Sequence, residues 1–114
     1  MTEGKIWGKT QLIFSAPGFE IHRINAKRGG YCSMHKHESK QNWFYVLAGK
    51  LRIEIEREGG TDIVDLGAGD STTVGYGKWH RFHALEDTEA LEAYWSEMNP
   101  ADIVRRTLGG VSVG

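Results

Sequence analysis

Two histidines one residue apart, His35 and His37, stand before an apolar, aromatic run in MHKHESKQNWFYVLAG, residues 34–49. On an extended chain residues i and i+2 share a face, with two rises of roughly 3.3 Å between their Cβ atoms. Imidazoles so placed can share one ion, and neutral imidazole is the commonest metal ligand in proteins. The pair needs further donors from neighbouring strands. A glycine-rich turn, GYGKW (75–79), delivers His80 to the start of another extended segment, and Asn42 stands near the start of the run after the first pair. His35, His37 and His80, with the amide oxygen of Asn42 as a weaker neutral donor, make a candidate site for one divalent transition metal. His83 follows His80 by three positions and falls on the opposite face, as Gln41 does relative to Asn42. His22 and His83 are read as satisfied polar or rim residues. Lys36, Lys40, Lys78 and Arg81 form either a cationic rim for a phosphate or carboxylate or ordinary solvated edge charges.

Other chemistries find no support. There is no serine nucleophile elbow, no phosphate loop and no paired zinc-ribbon cysteines. With 14 Lys and Arg against 15 Asp and Glu the net charge is −1, so no global positive field holds a polyanion and nucleic acid is not an expected partner. A small molecule bound in the interior fits better. The lone Cys32 rules out an intramolecular disulfide. In regular alternation with Met34 it falls on the face opposite the histidines, which discounts it as ligand or nucleophile. The start of the chain lacks a signal-peptide apolar stretch, and the longest apolar run, WFYVLA, is too short to span a bilayer. The expected setting is the cytoplasm, with no membrane partner.

The elements that must position these residues are short strands. The 114 residues suit a single domain, and 15 glycines against 2 prolines suggest many tight turns. From Phe19 onward FEIHRINA, YCSMHKH, NWFYVLAG, KLRIEIERE, TDIVDL, DSTTVGY, HRFHAL and EALEAYWSEM read as seven or eight strands between turn signals. LRIEIERE alternates cleanly, Leu51, Ile53 and Ile55 on one face and Arg52, Glu54 and Glu56 on the other. WFYVLA is apolar on both faces, which predicts an outer surface covered by a terminal segment or a second subunit. NPADIVRRTLGG suggests one short helix, capped by Asn99, with Pro100 at its first position and Gly109 ending it. The fold class is all-β, a barrel or jelly roll, with a core over about 19–98 and a fraying tail over 109–114.

Two linked patterns resemble the cupin superfamily. The first, G-x5-H-x-H-x(3,4)-E-x6-G, is met by Gly29, His35, His37, Asn42 and Gly49; the second, G-x5-P-x-G-x2-H-x3-N, by Gly69, Gly75, Gly77, His80 and Ala84. The resemblance implies a cupin-type double-stranded β-helix with a metal in its barrel. IWG, FEIHRINAKRGG, HRF and YWSEMNPADIVR look like the C-terminal cupin domain of type II phosphomannose isomerases. Three departures stand out: Asn42 replaces the family's ligand glutamate, Gly75 its proline and Ala84 its asparagine. Iron, nickel, manganese, zinc or copper would suit the donors that remain. The resemblance implies a metal-dependent enzyme on a sugar, sugar phosphate or similar oxygenated molecule. The alternatives are a three-histidine non-haem iron dioxygenase and a non-catalytic binding module. Isomerisation requires a base, for which Glu92 or a histidine would have to serve. Cupins of this kind usually pair, so a homodimer is expected.

Overall fold

Period-two alternation between glycine turns produces nine strands among the residues described by this computed structural model, which are 2–96, Gly109, Val111 and Ser112. They are β1 (Thr2–Lys5), β2 (Gly8–Ala16), β3 (Phe19–Ala26), β4 (Gln41–Ala48), β5 (Lys50–Arg57), β6 (Gly60–Gly67), β7 (Ser71–Val74), β8 (His80–Ala84) and β9 (Thr88–Trp95). No helix occurs among the described residues. The helix expected over 99–109 and most of the tail over 109–114 fall outside them.

All pairings are antiparallel, in a six-stranded sheet of order β1-β2-β3-β9-β4-β7 and a three-stranded sheet of order β6-β5-β8. Apolar inner faces hold the two layers together. Ile24, Phe44, Val46, Leu51, Ile53, Leu66, Val74 and Phe82 are buried, and each such side chain contributes about 1.5–3 kcal/mol on burial. On β5, Leu51 and Ile53 turn inward as expected. Outward-facing Arg52 meets Asp65, and Glu54 meets Arg81.

The run WFYVLA alternates more regularly than its composition suggests. Phe44 and Val46 are buried, whereas Trp43 and Tyr45 are half-buried on the outer face and stack with ring centroids 5.5 Å apart. Two strands precede the expected barrel start at Phe19. The turn between β1 and β2 sets Trp7 edge-on against Phe82, centroids 4.8 Å apart, so the first hairpin packs onto the core.

Seven of the eight expected segments are strands; YCSMHKH is not. It runs irregularly along the free edge of β8, joined by single bridges of Tyr31 to His83 and His35 to His80. The residue-number sum of the bridged pairs rises from 114 to 115, so this segment carries one extra residue between them. A one-residue shift exchanges the faces of a strand. Cys32, expected opposite the histidines, is therefore buried in the core, and the Phe82 N–H donates to its Sγ at 3.2 Å.

Candidate metal centre

The bulged segment and the start of β8 bring three imidazoles together. His35 and His80 exchange backbone hydrogen bonds of 3.0 and 2.8 Å, which holds them opposite one another. His37 is tied to the preceding turn, because the Gly77 N–H donates to its carbonyl at 2.8 Å. Gly77 has φ of +67°, a conformation that favours glycine, and this lets the turn double back towards His80. Ring centroids lie 4.5 Å apart for His35 and His80, 5.1 Å for His35 and His37, and 5.7 Å for His37 and His80. One donor nitrogen from each lies within 4.8 Å of the others.

Backbone carbonyls set the tautomers of two rings. His35 Nδ1 lies 2.7 Å from the Ser33 carbonyl oxygen and His80 Nδ1 2.8 Å from that of Lys78. A ring that donates from Nδ1 keeps its Nε2 lone pair for a metal. The third ring supplies the test of fit. His37 Nε2 is buried without any hydrogen-bond partner, and a buried polar atom left alone costs about 1–3 kcal/mol. An ion on the three nitrogens would satisfy it, so these residues fit a divalent metal.

The electrostatics keep two of the donors, His37 and His80, neutral. Burial, then the nearby charges of Lys40, His35 and His80, pushes His37 down from 6.5 to about 4. Burial also lowers His80, against the pull of the Lys78 carbonyl. At neutral pH both offer lone pairs rather than protons.

Asn42, placed beside the histidines by the sequence, is buried there on β4. Its Nδ2 lies 3.3 Å from His80 Nε2 and donates to Glu92 Oε2 at 3.1 Å. Glu92 on β9 is buried, and burial raises its pKa despite hydrogen bonds from Tyr94 and Asn42. The Tyr94 hydroxyl is raised as well, by burial and then by Glu92. The His37 ring stands edge-on to Tyr94, as does that of His22, whose Nε2 donates to Glu20 at 3.1 Å. His83 lies away from the three, against Tyr31.

A cavity of about 400 Å³ opens beside His35 and is lined by His22, Lys40, Glu92, Tyr94 and Cys32 among others. Lys40 Nζ sits 4.2 Å above the Tyr94 ring. Two of the other cations read as a possible rim are engaged elsewhere, Lys36 with Glu38 and Arg81 with Glu54. Burial pushes the Cys32 thiol up to about 11. Its wall position is hidden from the sequence by the bulge. His22 as a cavity residue is signalled only by its period-two spacing with Ile24 on β3.

Compared with known proteins, the chain matches the family model for the cupin domain over residues 22–97. It is 31% identical over 49 residues to mannose-1-phosphate guanylyltransferase of Escherichia coli, which covers 43% of this chain and 10% of that protein. It is 28% identical over 127 aligned positions to a probable oxalate decarboxylase of Arthroderma benhamiae, covering 90% of this chain and 30% of the relative. The chain thus spans a third or less of the length of these curated relatives. Among solved structures, KdgF from Halomonas sp. superposes with a TM-score of 0.69 at 22% identity, over 79% of this chain and 81% of that one. Oxalate decarboxylase of Bacillus subtilis does so with a TM-score of 0.74 at 23% identity, over 84% and 27%. These likenesses establish the fold.

Proposed function

The chain belongs to the cupin domain family, and from that premise we propose that it is a metal-dependent enzyme acting on a small oxygenated molecule, foremost a sugar or sugar phosphate. The observation that carries this reading is the buried, partnerless Nε2 of His37 beside the donors of His35 and His80. A divalent ion held there would polarise a carbonyl oxygen of the substrate and favour an enediolate. The protein's own residues supply the rest. The Ser33 and Lys78 carbonyls orient two of the histidines. Lys40 provides positive charge at the cavity wall for an anionic group. His22, also on that wall, is the group in place to take up or return a proton. The stretch similar to mannose-1-phosphate guanylyltransferase supports a sugar phosphate.

The replacement of the motif glutamate by Asn42 favours a second reading, a three-histidine iron dioxygenase, because a neutral donor set keeps the ion's full charge for an anionic substrate. Pairing with a second copy is proposed for the six-stranded sheet, whose strands leave Ile13, Phe14 and Leu47 exposed; sedimentation would reveal a dimer.

Metal analysis of the purified protein and of His35→Ala and His80→Ala tests the centre. Metal lost in both variants is expected, and unchanged content in both refutes shared ligation. Interconversion of mannose 6-phosphate and fructose 6-phosphate identifies the isomerase, and oxygen uptake with a β-diketone the dioxygenase. Thermal stabilisation by sugar phosphates without turnover would instead mark a binding protein.

A further inference from the structure

The linear motif lacks its carboxylate, yet the folded site contains one. Register places it there: β4 and β9 are neighbours, with Asn42 opposite Tyr94 and Phe44 opposite Glu92. Asn42 and Glu92 are therefore diagonal neighbours on the inner face, within reach of each other's side chains. Glu92 is only 8% exposed. Its hydrogen bonds come from neutral groups, the Tyr94 hydroxyl and Asn42 Nδ2 at 3.1 Å. The same Nδ2 lies 3.3 Å from His80 Nε2, the nitrogen whose lone pair an ion would take in place of this contact, so the carboxyl group stands one side chain away from the metal position.

Burying a carboxyl group away from water is expensive unless a cation or several donors compensate. Three neutral imidazoles leave both charges of a divalent ion unbalanced by the protein. Each excess is the remedy for the other. We propose that Glu92 is the charge-balancing partner of the metal centre, a positioning residue that acts through Asn42 and stands one strand away from where the motif carries its acid. Asn42 then stands between the acid and the ion rather than ligating, because its Nδ2 is held by Glu92. This inference rests on the metal reading of the preceding subsection.

The test is calorimetric titration of Co(II) into the metal-free full chain, for the wild type, Glu92→Gln and the double variant Asn42→Glu/Glu92→Gln. Glu92→Gln keeps the shape of the side chain and an acceptor for Asn42 but removes the charge. Its expected effect is a Co(II) affinity about 10–100-fold weaker, the range for loss of a partner in the outer shell of a metal site. The double variant returns the acid to β4, and it is expected to recover at least about tenfold of that loss and to shift the visible Co(II) absorption as a carboxylate nears the ion. A packing role for Glu92 would not be rescued by moving the charge. Binding by Glu92→Gln as tight as that of the wild type overturns the inference and leaves the metal reading intact, and so does a double variant no tighter than the single one. Failure of the wild type to bind Co(II) overturns both.

Discussion

Acid destabilises the metal-free protein through His37, and the size of the effect follows from where that ring sits. Burial, followed by Lys40, His35 and His80, holds His37 at about 4 in the fold against 6.5 in its absence. Between those values the unfolded chain binds a proton that the folded chain refuses, and stability rises with pH wherever the unfolded state binds more protons. The contribution is therefore present above pH 6.5 and is lost as pH falls towards 4. Integrated from pH 7 to 4.5 it amounts to about 2.4 kcal/mol for a fully desolvated ring. His37 is only half-buried, and solvent screening reduces this to roughly 1–2 kcal/mol. His80, also lowered, adds in the same direction. Glu92 works against both: its raised pKa means that the folded acid gains its proton first as pH falls, which relieves the cost of burying it. Comparison with His37→Gln isolates the one ring. Urea unfolding in the presence of a chelator, followed by tryptophan fluorescence at about pH 7 and 4.5, is expected to show the wild type losing roughly 1–2 kcal/mol relative to the variant. A gap of equal size at the two pH values refutes the argument, because it would mean that the ring is as well solvated folded as unfolded.

Gly49 turns the chain from β4 into β5 at φ +91°, and a Cβ there would come within 2.3 Å of the Asp87 carbonyl oxygen and 2.8 Å of Thr88 Cα. Gly49→Ala is expected to cost more than about 2 kcal/mol in thermal unfolding, whereas Gly59→Ala, at a similar φ with open space around it, costs about 1 kcal/mol. Phe44 is 1% exposed and contacts Phe82 and His80. Phe44→Ala is expected to lower unfolding stability by about 3–5 kcal/mol, against about 0.5 for the exposed Ile63→Ala. The Cys32 thiol, buried and pushed up to about 11, is expected to resist a disulfide reagent at mildly alkaline pH until denaturant is added; a rapid reaction in the native state would contradict its place in the core.

What the residues alone made legible was what depends on neighbours along one strand. Leu51 and Ile53 enter the core and Arg52 and Glu54 leave it because side-chain direction alternates, whatever lies alongside. His35 and His37 come together although their segment is not a regular strand, and His80 joins them because a turn with Gly77 at positive φ can reach back to the His37 carbonyl. The first hairpin was missed for a physical cause. The pairing of β2 with β3 shifts between Leu12 and Phe14, so KTQLIFSA does not alternate cleanly, and Ile13 and Phe14 remain exposed. The face of Cys32 was misjudged through a similar shift between the Tyr31 and His35 bridges. Neither bulge carries a glycine or proline signal at its own position, so composition could not announce it.

The carboxylate at the site shows why a linear motif is an incomplete description of a centre built across a sheet. Glu92 belongs to a strand far along the chain from His35 and His37, and alternation on β9 shows only that it shares a face with Ala90 and Tyr94. Its place beside Asn42 follows from the order β3-β9-β4, which sets His22, Glu92 and Phe44 in one row and Glu20, Tyr94 and Asn42 in the next. A strand along the motif can exchange its acid for an amide if the strand beside it presents an acid to the same space, because the field at the histidines depends on where charge stands and not on which strand carries it. By this argument, substitutions at Asn42 and Glu92 are coupled. Asn42→Glu alone would set two carboxyl groups together and weaken the folded protein at neutral pH, whereas the same change made with Glu92→Gln would be tolerated; a double-mutant cycle in urea unfolding would measure that coupling directly.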